Sequence, residues 1–374
     1  MKDNTENGNF LNRRQFLKVT AATGAAGAIL PASSLLAADG GQKVTLGFVG
    51  CAHIHTPGFI NLLKDRKDVR VKTVWDHDRE RASRRAKELN AAVAEKADEI
   101  YADPEIQAVV ICAETNRHLD LVLGAARGKK HMFVEKPLGI GSQDSYRMQA
   151  AIEKAGLLFT TGYFMRCNPA HIFLKEEIAK GSFGKITRIE GSNCHSGSLG
   201  KWFDTEWRWM ADPKIAGVGA FGDLGTHSLD IMMWMMGDVE SVTAQVKVVT
   251  GHYGDCDEAG AALIRFKNGV YGTLTAGWVD VANPVTLQIS GTEGYATIIN
   301  GQLFFTSKKV EGADGKQPWT KLPPAPAAPM HLFVDSVAGK SGLPLVTPKE
   351  AAARASVMEA MYAAARSNRW VEPT

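Results

Sequence analysis

"VTLGFVGCAHIHTPGF", residues 44–59, decides the fold of the first half of this 374-residue chain. An apolar run from Val44 to Val49 breaks at Gly50, and a helix-like segment, PGFINLLKD, follows. Strand, turn and helix in that order open a dinucleotide-binding unit. The fingerprint of such a unit, G-x-G-x-x-G, gives its three glycines separate roles in a tight turn, in close approach to pyrophosphate and in close helix packing. Gly50 keeps the first, but Ala52 and His55 stand at the second and third places. The stretch therefore admits two readings, an altered nucleotide turn or a metal site on His53 and His55.

Working outward, residues 43–163 alternate short apolar runs with amphipathic segments. VTLGFV, VRVKTVW, AVVICA, HMFVE and LLFTTGY read as strands, and DRERASRRAKEL and SYRMQAAIEKAG as helices between them. That series predicts a Rossmann-like, doubly wound parallel sheet with helices on both faces. After about residue 185 the pattern changes. KITRIEGSN, VESVTAQVKVVT, GAALIRFKNGVYGTLTAGW, VTLQISG and YATIINGQLFFT predict a large, open, mostly antiparallel sheet, with an Asn-Gly hairpin turn in FKNGVYG. The fold class is thus α/β followed by α+β, with a second domain over 164–374. TPKEAAARASVMEAMYAAARSN closes it as a helix with Thr347 as N-cap, Pro348 in the first turn and Glu350 completing a capping box.

The nucleotide reading has a second support. Asp76 ends the second predicted strand, where a carboxylate bonds the hydroxyls of the adenine ribose and repels a 2′-phosphate. NAD is expected over NADP, with His77 and Arg79 keeping NADP open. Backbone N–H groups near His53 and Ile54 are then expected on the pyrophosphate. The metal reading needs further strand-end ligands, as in barrels of eight βα repeats. Here the repeats give way to antiparallel strands, so no metal is expected, and a metal-dependent hydrolase is the weaker alternative.

Two further stretches carry chemistry. HMFVEKPLG places Glu135 and Lys136 at a strand end, and the proline that follows holds Lys136 extended. GVGAFGDLGTHSLDIMMWMMG offers Asp223, His227 and Asp230, whose spacings of four and three share one helix face. Those acids sit in a Met- and Trp-rich run, where an unpaired carboxylate is costly.

Together with Asp76, TNRH at 115–118, GYFMRCNPA, GSFGKI and FVDSVAG, these stretches resemble the Gfo/Idh/MocA oxidoreductase family, of the glucose–fructose oxidoreductase and inositol dehydrogenase types. The resemblance covers about 44–370 and departs from the family at the turn GCAHIH. It implies hydride transfer between a sugar or polyol C–H and NAD(P). His227 would then be the base, with Asp223 orienting it and Lys136 bonding the reacting oxygen. Gly50, Ala52, His53, Ile54, Asp76, Glu114, Asn116, His118, Glu135 and Lys136 would line the cofactor. Tyr163, Arg166, Trp202, Trp207 and Asp230 would line the sugar.

The first 38 residues stand apart. Arg13-Arg14 followed by Phe16-Leu17-Lys18 and an Ala/Gly-rich run resembles a twin-arginine export leader. Gly, Ser, Thr and Pro31 interrupt the run, which argues against a membrane span. Removing residues 1–38 leaves 39 basic and 38 acidic side chains, a net charge of +1. Nothing in that balance favours nucleic acid. Five widely spaced cysteines without a C-x-x-C suggest neither a zinc knuckle nor a disulfide framework. Twin-arginine export carries folded proteins, so a periplasmic enzyme is expected to leave the cytoplasm with its cofactor tightly bound. A retained cofactor must be restored in the same site. Either a second substrate is reduced, or the same molecule is oxidised transiently, as in an NAD-dependent glycosidase, lyase or epimerase. A ligand-binding protein without nucleotide is a further alternative. The predicted open sheet points to a homo-dimer or homo-tetramer.

Overall fold

The structure, a computed structural model, describes residues 43–374. The expected leader lies outside the described residues. Six strands, β1 (Val44–Cys51), β2 (Val69–Trp75), β3 (Ala92–Val93), β4 (Ala108–Cys112), β5 (His131–Val134) and β6 (Phe159–Thr161), form one parallel sheet. Their order is β3-β2-β1-β4-β5-β6. The helices between them are α1 (Thr56–Lys64), α2 (Arg79–Leu89), α3 (Ala97–Ala102), α4 (His118–Arg127) and α5 (Gly141–Lys154). β1 is buried along almost its whole length because helices cover both faces of the sheet. The order of the strands reverses between β1 and β4, and ligands of such sheets bind beyond the strand ends at that point.

The second sheet has seven strands: β7 (Ile186–Cys194), β8 (Val239–Lys247), β9 (Ala259–Phe266), β10 (Tyr271–Gly277), β11 (Val285–Gly291), β12 (Gly294–Ile299) and β13 (Gln302–Ser307). Their order is β13-β12-β11-β7-β10-β9-β8, antiparallel except for the β7–β10 pair. The chain forms α6 (Pro169–Ala179) before β7, and α7 (Pro213–Ala216) and α8 (Ala220–Met236) between β7 and β8. α8 is buried nearly all round and lies on β7, β9 and β10. Two strand glycines make room for it: a Cβ on Gly191 or Gly272 would stand 2.8 or 2.9 Å from Met232.

Three sequence expectations are refined here. The hairpin turn with two left-handed residues is Asn300-Gly301 (φ 50° and 77°), between β12 and β13. At 268–269 only Gly269 has positive φ, so that Asn-Gly belongs to a longer loop. The helices α9 (Pro329–Val337) and α10 (Pro348–Ser367) return to the first sheet. α9 inserts Met330, Phe333 and Val334 beneath β1, β4 and β5, and α10 packs on both α5 and β8. The boundary at 163/164 thus divides the sheets, while the packing crosses it. The capping box is present: Glu350 N donates to Thr347 Oγ1 (3.2 Å), and Thr347 N to Glu350 Oε2 (2.9 Å).

Candidate active site

At the C-terminal ends of β1, β4 and β5, the turn after β1 is built as its glycine demands. Gly50 has φ +85°, and a Cβ there would lie 2.4 Å from Ala113 Cβ. Gly50→Ala is therefore expected to cost more than about 1 kcal/mol in a denaturant titration. The His53 amide donates to Cys112 O (2.9 Å), so it is spent on the neighbouring strand. The Ile54 amide has no partner among the described residues and remains available to an anion. Ala52 is buried, and its carbonyl accepts from Trp209 Nε1 (3.2 Å).

Asp76 is satisfied within the protein. Arg81 binds both its oxygens (2.9 and 2.8 Å), and the Cys51 and Asp78 amides add bonds of 2.6 and 2.8 Å. Four acceptor bonds use the capacity of a carboxylate, so ribose hydroxyls reach it only by displacing a partner. Arg81 also holds Glu114 (2.8 Å), which meets His77 (2.9 Å). Asn116 is exposed beside this network. His118 braces two loops, its ring nitrogens 3.0 and 3.2 Å from the carbonyls of Leu138 and Ala113.

Beyond β5, Lys136 Nζ lies 2.6 Å from Asp223 Oδ1, and Trp278 Nε1 donates to the other oxygen at 3.2 Å. Burial alone would raise the Asp223 carboxyl, but Lys136 outweighs it and holds the group well below the usual carboxylate range. One turn further along α8, His227 is buried, and its Nδ1 has no hydrogen-bond partner. Burial, reinforced by Lys136, pushes its imidazole well below the ordinary value and keeps it neutral at pH 7. Tyr163 and Phe164 stand against it, ring centroids 6.1 and 5.0 Å away, and the Tyr163 hydroxyl meets Thr226 Oγ1 (2.9 Å). An ion-paired lysine and a neutral imidazole with an unmet polar atom can hold a substrate oxygen and take its proton.

The sugar residues are brought together less completely. Asp230 is fully buried between Arg166 (2.8 and 2.6 Å) and Arg354 (2.9 Å), and Arg166 also binds Glu350 (2.8 Å). This network ties α8 to α10 and leaves Asp230 no room for a sugar hydroxyl. Trp202 and Trp207 are buried, Trp202 over His195 at 4.7 Å between ring centroids. Trp209, which shares the aromatic-basic run KWFDTEWRW (201–209) with Trp202 and Trp207, is the side chain that reaches the β1 turn. Glu206 pairs with Arg84 and Arg85 on α2, which lays the 206–209 segment along the first sheet's helix. Sequence reading missed Arg81 and Trp278, and expected the run that holds Trp209 along the sugar, whereas Trp209 meets the β1 turn.

Two buried residues, His53 and Glu135, and the half-buried His55 complete the centre. Glu135, fully buried, accepts the Lys136 amide (2.8 Å) and stands 3.1 Å from His55 Nδ1 and 3.9 Å from His53 Nε2. Burial would raise the Glu135 carboxyl, but the facing imidazoles and Lys136 hold it below its usual range. Burial lowers the His53 imidazole to about 3, so it is neutral.

A nucleotide-type switch point, a lysine–aspartate pair and a neutral histidine thus stand together at the strand ends of the first sheet. Residues 44–163 match the oxidoreductase family with an NAD-binding Rossmann fold, and residues 171–297 match the GFO/IDH/MocA C-terminal domain. The chain belongs to the Gfo/Idh/MocA family. Residues 11–29 match the twin-arginine translocation signal sequence. Among curated relatives, a myo-inositol 2-dehydrogenase of Thermotoga maritima is 31% identical over 241 residues, 61% of this chain and 67% of that protein. A levoglucosan dehydrogenase of Pseudarthrobacter phenanthrenivorans is 28% identical over 52% of this chain. The match spans 56% of that dehydrogenase, little more than half its length. Among solved structures, levoglucosan dehydrogenase with NADH and levoglucosan superposes with a TM-score of 0.73 at 22% identity, covering 88% of this chain and 99% of that one. Aldose–aldose oxidoreductase from Caulobacter crescentus gives 0.75 at 20% identity over the same shares. These likenesses show the fold.

Proposed function

We propose that the protein is an exported, NAD-dependent oxidoreductase that oxidises a hydroxyl of a sugar, glycoside or polyol and retains its cofactor. The observation that carries this reading is the Lys136–Asp223 pair at 2.6 Å beside the neutral His227, beyond β5. The residues fit a dinucleotide at the turn after β1, where Gly50 is left-handed and the Ile54 amide is free among the described residues. The nicotinamide, when bound, supplies the hydride acceptor and donor. Lys136 bonds the reacting oxygen and stabilises its negative charge. His227 accepts the hydroxyl proton, and Asp223 keeps the ammonium in place. The relatives' names support a sugar or polyol as substrate, and the leader supports a periplasmic location. With a retained cofactor, reduction of a second carbonyl compound or re-reduction of the first product closes the cycle. Leu263, Tyr271 and Tyr295, exposed on the second sheet, support a homo-dimer or homo-tetramer.

Cofactor choice has its own test. Asp76→Ala removes a negative charge and frees the Arg81 guanidinium, which suits a 2′-phosphate. NAD binding is expected to weaken more than NADP binding in a fluorescence titration. Equal losses would mark Asp76 as a strut of the fold.

The reading as a whole is tested by the absorbance of the purified protein and mass spectrometry of released nucleotide. One NAD(H) per chain is expected. Absence of nucleotide, together with failure to bind added NAD, would contradict it.

A further inference from the structure

We infer that His53, His55 and Glu135 form a site for one divalent transition-metal cation of the zinc class, open toward Lys136 and Asp223. The imidazoles stand on the turn after β1 and the carboxylate at the end of β5, and one ligand atom from each lies within 4.8 Å of the others. Tetrahedral zinc, with bonds of about 2.0–2.1 Å, separates neighbouring ligand atoms by about 3.4 Å. His55 Nδ1 stands 3.1 Å from one Glu135 oxygen and His53 Nε2 3.9 Å from the other, separations close to that spacing.

Charge points the same way. Two buried carboxylates, Glu135 and Asp223, face one buried ammonium, Lys136, and a cation offsets the remaining negative charge. Two imidazoles and a carboxylate also leave a fourth position open, as catalytic zinc sites do. A cleft of about 10 Å³, lined by His53, Lys136, Asp223 and Trp209 among others, adjoins it. That is room for one water or one substrate oxygen. The metal and the dinucleotide of the redox reading share the 53–55 turn, so the titration below uses nucleotide-free protein; the assignment of a sugar oxygen to the open position rests on that reading.

The sequence weighed two histidines without a third ligand. Glu135 supplies it from 80 residues away. One contact must change on loading: the His55 amide points at His53 Nδ1 at 3.2 Å. Ligation through Nε2 places the proton on Nδ1, so that contact opens and the 53–55 turn shifts.

The test is calorimetric titration of the metal-stripped, nucleotide-free mature protein with Zn²⁺. One equivalent is expected to bind, and His55→Ala and Glu135→Gln are each expected to weaken it at least about a hundredfold. His252→Ala, an imidazole paired with Asp204 away from this site, is expected to bind as wild type does. No binding by folded wild type, or unweakened binding in both variants, overturns the inference. Should a variant fail to fold, Co²⁺-loaded wild type decides: strong visible bands of a four-coordinate site support it, and the pale spectrum of a six-coordinate ion overturns it. Nucleotide is measured on the same preparation before it is stripped. Nucleotide without zinc binding removes this inference alone, and zinc without nucleotide removes the redox reading alone.

Discussion

Replacing Lys136 or His227 by alanine is expected to lower turnover by about a hundred- to ten-thousand-fold, the range for a residue that handles the reacting proton or its oxygen. Bound nucleotide is expected to remain. The two variants differ in what they do to the fold. Lys136→Ala strands Asp223, whose other oxygen keeps only the Trp278 indole, so its melting temperature falls as well. His227 is neutral, and its Nδ1 has no partner to strand. His227→Ala should therefore lose activity with a smaller loss of stability. Comparable losses of turnover at unequal stability would report chemistry. Normal turnover in both variants would remove these residues from the mechanism.

Asp230→Ala is expected to lose about 3–5 kcal/mol of stability, because it leaves two buried guanidiniums without their shared carboxylate. Arg166 and Arg354 approach Asp230 from outside α8, and Glu350 closes the network from α10. A denaturant titration reads the loss as a lower midpoint at unchanged slope. If Asp230 instead served the sugar, KM would rise while the midpoint stayed in place. The geometry predicts the first outcome.

Those two predictions mark where sequence reading was strong and where it stopped. Strand, turn and helix at 44–64 were legible because burial on both faces writes a continuous apolar run, and Gly50 is required by its positive φ. Lys136 and Asp223 were legible as groups in need of partners, because charged groups in apolar runs require them. Their pairing was not, since 87 residues separate Lys136 from Asp223. Asp230 shares the helix spacing of Asp223 and His227, yet its partners come from 166 and 354. No local pattern announces that. Asp76 was placed at its strand end correctly, but Arg81, one helical turn into α2, already occupies its oxygens. Periodicity locates a side chain on a face; it does not say which distant side chain meets it there.

Hydride transfer at the Lys136–Asp223–His227 centre is read out by a single-turnover absorbance measurement. Wild-type protein carrying NAD is mixed with a panel of sugars, glycosides and polyols, with no nucleotide added. At least one compound is expected to raise the reduced-nicotinamide absorbance to about one equivalent per site, and His227→Ala to abolish the rise. A carbonyl acceptor, or the oxidised intermediate itself, should then return the signal to its starting value. No reduction of bound NAD by any member of the panel would contradict the account.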